Sequence, residues 1–103
     1  MIIRAFFAGF FIFNCLPHLV KGITGETHMT PFKRVSSPFL NIFWAFVNLV
    51  IGILIIGFDS ATGALNTLRG VEFWTFILGG FLLSLSAGWL FGRPNAKLPW
   101  HKD

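Results

Sequence analysis

The stretch 38–58, PFLNIFWAFVNLVIGILIIGF, contains no charged side chain. A helix rises about 1.5 Å per residue, so about 20 residues cross the roughly 30 Å hydrocarbon core of a bilayer. In water, such a run would have to be wrapped on every side by other protein. The chain has 103 residues, and two more windows of the same kind occupy 2–21 and 72–92, so little is left to do the wrapping. Composition points the same way: 54% of residues are hydrophobic and 12% charged, about half the charge of a soluble domain.

The expected fold is therefore an all-α membrane protein, a single domain over 1–103 with three transmembrane helices. Loops fall at 22–37 and 59–71, and a tail at 93–103. Ser37 before Pro38 is a helix-start signal, a capping hydroxyl followed by proline at the first helical position. Gly92 before Arg93-Pro94 is a stop. The polar, Thr- and Ser-rich loop GITGETHMTPFKRVSS reads as solvated, and 59–71 is expected to hold a short helical turn at the interface. The start MIIRAFFAGFFIF has the basic-then-apolar order of a signal peptide but no small-residue cleavage site, so an uncleaved first span is expected.

Orientation follows from Lys and Arg in short loops. Lys21, Lys33, Arg34, Arg93, Lys97 and Lys102 lie on one side, against Arg4 and Arg69 on the other. Six against two places loop 22–37 and the C-terminus in the cytoplasm and the N-terminus outside, in a plasma or cytoplasmic membrane. Arg4 is close enough to the end of its span to reach the headgroups. Trp74 and Trp89 are expected as anchors at the outer and inner interfaces, and Trp100 as an anchor for the tail. The net charge of +4 is spread between and beyond the apolar runs rather than along one helix face. It suits a lipid bilayer as partner and argues against nucleic acid. The same bias disfavours dual insertion, so a homodimer should be parallel.

The first span contains a polar knot, FNCLPHLVKG. Asn14 and His18, four apart, share a helix face. Pro17 removes the N–H that the Phe13 carbonyl would have accepted from, and in lipid that oxygen needs another partner. Together with Asn48, ten positions into the second span, these residues form a candidate polar binding site. The competing reading is interhelical hydrogen bonding, worth about 0.6–2 kcal/mol per contact, with His18 reaching headgroups from near the span's end. Asn41 shares the Asn48 face. Cys15, the single cysteine, lies three residues from His18; apolar neighbours suppress thiol reactivity, so packing is its expected role. The spacing of His18, Glu26 and His28 matches no metal-ligand pattern, and no cofactor is expected.

In the third span Gly80, Ser84 and Gly88 recur every four residues, with Gly79, Leu83 and Ala87 alongside. Such a small-residue ladder lets another helix backbone approach closely, and these are the candidate helix-packing residues.

Leu16-Pro17-His18 resembles the Pro-Gln of the three-helix PQ-loop sugar transporters over two or three residues. That resemblance implies a parallel dimer with the N-terminus outside and a solute pocket at Pro17. His18 stands where the family has glutamine, and the third span lacks an asparagine to complete the pocket.

Three helices cannot enclose a water-filled pore alone. The leading expectation is an interaction or accessory subunit, or a self-associating bundle, partnered by itself or another membrane protein. The alternative is a parallel homo-oligomeric carrier or channel for a small solute, using Asn14, Pro17, His18 and Asn48. A membrane enzyme using Cys15 or the histidines comes third.

Overall fold

The computed structural model describes residues 2–101. Three α-helices account for the apolar windows: α1 (Ile2–Ile23), α2 (Pro38–Ile56) and α3 (Val71–Phe91). All three are long and apolar enough to cross a membrane. At about 1.5 Å per residue the shortest is about 28 Å long.

The helix ends follow local chemistry. The Ser37 hydroxyl accepts from Leu40 N–H at 3.1 Å with Pro38 at the first position of α2. α2 stops at Ile56, because Gly57 adopts φ +81° and Phe58 pairs with Leu65 in an isolated bridge. Asp59 Oδ1 accepts from the Ala61 and Thr62 amides, and these bonds hold its carboxyl below its ordinary range. Within 59–71 the chain makes one turn, closed by Gly63 N–H donating to the Asp59 carbonyl at 2.8 Å, and then runs without regular structure until α3 begins at Val71. α3 ends at Phe91 with Gly92 as cap. α1 runs unbroken through Pro17.

α1 is the axis of the bundle. It packs against both α2 and α3, whereas α2 and α3 do not approach each other closely. Small residues permit this. A Cβ on Gly9 would run into the Phe76 carbonyl, and one on Gly79 into the Phe6 carbonyl, so α1 and α3 meet backbone to backbone. Gly52 lies against Ala8 and Ile12, and a Cβ on Gly22 would come within 2.8 Å of the Pro38 carbonyl.

The distribution of polarity is inverted relative to a soluble protein. The largest fully buried side chains are Asn41, Asn48, Thr30 and Ser36, while Phe39, Phe43, Leu54, Trp74 and Trp89 are exposed. A surface of this kind is stable only where the surroundings are themselves apolar.

Candidate functional site

The polar knot lies at the α1–α2 contact, in the half of the bundle nearest loop 22–37. Asn14 Nδ2 donates to Asn48 Oδ1 at 3.0 Å, and Asn48 Nδ2 donates to the Trp44 carbonyl at 2.9 Å. Asn14 and Asn48 thus meet directly. His18 is buried but bonds Asn41 rather than Asn48, with Nδ1 2.9 Å from Asn41 Oδ1. Asn41 is the centre of the arrangement. Its amide nitrogen faces the carbonyls of His28, Ser36 and Ser37 at 3.0–3.2 Å. That orientation leaves only the oxygen for His18, so His18 must donate from Nδ1.

Loop 22–37 folds onto this core. His28 and Ser36 exchange both backbone hydrogen bonds. The Ser36 hydroxyl donates to the Lys33 carbonyl, which leaves the Thr30 hydroxyl, 2.7 Å away, as donor to Ser36 Oγ. The tail closes over the loop. His101 Nδ1 accepts from Leu98 N–H at 3.0 Å, so Nε2 carries the proton and donates to the Thr30 carbonyl at 2.7 Å. Trp100 Nε1 donates to the Pro31 carbonyl at 2.7 Å, and Arg34 Nε to the Ala96 carbonyl at 2.9 Å.

The His28 ring sits 5.3 Å from that of His18 and 4.3 Å from that of Phe91. Burial lowers its pKa to about 4, with the His18 ring and the Lys21 ammonium acting in the same direction. It is neutral at pH 7, and its Nε2 is buried without a hydrogen-bond partner among the described residues. Glu26 is held below its ordinary range by the Thr24 hydroxyl and by Lys21.

A cavity of about 190 Å³ lies beside the network, lined by Asn14, His18 and Trp44 together with apolar Phe10, Leu83 and Leu98. Trp44 Nε1 is buried with no partner among the described residues. Cys15 is a buried free thiol. Among the described residues no three His, Cys, Asp or Glu side chains gather as a metal-ligand group.

The other sequence candidates separate. Gly80 is buried, and a Cβ there would strike the Phe13 ring. Ser84 turns its hydroxyl back to the Gly80 carbonyl at 2.8 Å, and Gly88 has nothing within 4 Å of its missing side chain. The ladder is thus used within the chain at Gly79 and Gly80 and left open at Ser84 and Gly88. Trp74 and Trp89 are exposed at opposite ends of α3, and Arg93 stacks over the Trp89 ring at 4.5 Å. Trp100 is exposed, yet its indole N–H is bound to the loop.

Sequence reasoning missed Gly9, although Ala5 and Gly9 have the same four-residue spacing as the α3 ladder. It also missed the lock formed by Asn41, Thr30, Ser36 and His101. Arg4 proves to cap another helix, donating from Nη2 to the Ile55 carbonyl at 2.7 Å at the negative end of α2.

The architecture defined by these contacts is an α1-centred, three-helix unit with an apolar exterior. No protein-family model, curated protein or solved structure matches the chain.

Proposed function

We propose that this chain is a small interaction subunit that associates with other membrane spans, either further copies of itself or a partner. The supporting observation is the open stretch of α3. Gly79 and Gly80 are consumed by contact with α1, whereas Gly88 abuts nothing and Ser84 is exposed beside it. Small residues facing outward from a span let a second backbone approach closely. The knot favours the same reading, because Asn14, His18, Asn41 and Asn48 are largely engaged in holding α1 to α2. The proposed orientation keeps the N-terminus outside, with loop 22–37 and the tail cytoplasmic, so copies associate in parallel.

Gentle native extraction followed by mass measurement tests this. The wild-type chain should emerge as a homo-oligomer or within a larger complex. Gly88→Ile should emerge alone, with its thermal stability intact. A solitary wild-type chain, or association unchanged by Gly88→Ile, overturns the proposal. For orientation, an impermeant thiol reagent in a Cys15→Ala background should label Ser60→Cys from outside and Thr27→Cys only after permeabilisation.

A second reading, a small-solute carrier, draws on the cavity beside Asn14 and His18 and the unpartnered Trp44 N–H. It requires solute flux in liposomes that falls in Trp44→Phe while assembly persists. Equal flux in both proteins removes this site assignment.

A further inference from the structure

The cavity of about 190 Å³ beside the polar network is built from all three helices and the tail. Phe10, Asn14 and His18 come from α1, Trp44 from α2, Leu83 from α3 and Leu98 from beyond α3. Its walls are held in place. Trp100 and His101 pin the tail to the carbonyls of Pro31 and Thr30. The Phe32 ring meets the Trp44 indole edge to face, with centroids 5.3 Å apart.

The hydrogen-bonding capacity of its lining residues follows from the network. Asn48 turns its amide nitrogen to the Trp44 carbonyl, so its oxygen faces Asn14, and Asn14 must present Nδ2 to it. That leaves the Asn14 oxygen to accept. His18 donates from Nδ1 to Asn41, so in the neutral imidazole Nε2 is an acceptor as well. Trp44 Nε1 can only donate, and it is buried with no partner among the described residues. One donor and two acceptors thus belong to residues lining a largely apolar cavity. A hydroxyl both accepts and donates and answers that set, whereas an ether or ketone oxygen answers only the indole. Size sets the rest. An apolar cavity of about 150 Å³ takes up benzene, so about 190 Å³ has room for one ring and its hydroxyl.

We infer that this cavity binds a small, ring-sized apolar molecule carrying a hydroxyl group, which accepts from Trp44 Nε1 and donates to His18 Nε2 or Asn14 Oδ1. The inference rests on the cavity of the carrier reading and names its ligand class, a phenol or cyclic alcohol; binding itself does not require flux.

Phenol and toluene, alike in ring size and different in the hydroxyl, are the probes. In the isotope-labelled, detergent-solubilised chain, the Trp44 indole N–H resonance is assigned by its loss in Trp44→Phe. It should shift saturably with phenol and little with toluene. The exposed indoles of Trp74 and Trp89 report partitioning into the micelle and should show no saturation. Trp44→Phe keeps a ring and removes the donor, so affinity for para-fluorophenol, read from its fluorine resonance, should fall about tenfold. Its melting temperature should hold, because the N–H has no partner to lose among the described residues. Should Trp44→Phe not fold, the wild-type preference for phenol over toluene still decides. Equal responses to phenol and toluene overturn the inference, as does a Trp44 shift that only tracks those of Trp74 and Trp89, or an affinity unchanged in folded Trp44→Phe. Phenol binding with no solute flux in liposomes keeps the site and removes the carrier; solute flux with no phenol binding does the reverse.

Discussion

The two helix contacts made by α1 are held by different physics. Toward α2, carboxamides and an imidazole bond across the gap: Asn14 to Asn48, and His18 to Asn41. Toward α3, glycines remove the side chains, so Gly9 meets the Phe76 carbonyl and Gly79 meets the Phe6 carbonyl. The first contact is specific and directional, because a carboxamide in lipid must find a partner. The second depends on shape alone and tolerates no added atom. A three-helix unit with an apolar exterior can thus fix one neighbour by hydrogen bonds and another by close approach.

The largest effect should come from adding one methyl group to the glycine contact. Gly79→Ala places its Cβ against Phe6 backbone atoms, which can yield only if the helices separate. Overpacking of this kind costs about 3 kcal/mol. Gly88→Ala, nine residues along the same helix, meets nothing and should change stability by less than about 0.5 kcal/mol. Reversible unfolding in detergent or bicelles measures both. Equal effects would show that the two glycines are not differently placed.

Next in size is loss of the Asn41 lock. Asn41→Leu leaves His18 and three carbonyls without their common partner, at a cost of about 2 kcal/mol. Loop 22–37 should loosen with it, seen as faster amide exchange at His28 and Ser36, whose backbone pairing closes the loop. Unchanged exchange would mean that the loop holds itself.

Stability should also depend on pH through the same loop. In the unfolded chain His28 takes up a proton near its ordinary value of about 6.5; in the folded chain the pKa is about 4. Between these values the unfolded state binds more protons, so stability should fall as pH drops from about 6.5 to about 4, then level off. His18 and Lys21 are the groups that add to the repulsion. His28→Gln should flatten this part of the profile; a profile identical to wild type would contradict the burial of His28.

The smallest effect belongs to Ser84. Its hydroxyl bonds within its own helix, to Gly80, so Ser84→Ala should leave monomer stability within about 0.5 kcal/mol of wild type. A larger loss would reveal a contact across the α1–α3 gap.

What the sequence made legible was whatever is decided locally. The three helices, the Ser37–Pro38 start of α2 and the Gly92 stop of α3 depend on runs, caps and breakers within a few residues of one another. The single turn after α2 was legible, but the devices that set it, Gly57 at positive φ and the Asp59 side chain accepting from Ala61, were not, because apolar length does not register them. The knot was visible as polar residues on one face of α1, but its pairing was not. Asn48 and Asn41 present the same side chain seven residues apart, and only the register of α1 against α2 assigns Asn14 to one and His18 to the other. Likewise Gly79 and Gly88 are equivalent as text. One is filled by α1 and the other open because α1 crosses only part of α3 closely.

A double-mutant cycle on Asn14 and Asn48 tests most directly whether α2 is held by bonds across the gap. Asn14→Ala, Asn48→Ala and the double variant would be unfolded reversibly under the same conditions. The 3.0 Å bond between the two side chains predicts a coupling of about 0.6–1.7 kcal/mol, the range found for polar contacts between spans. Strictly additive effects, with no coupling, would contradict it.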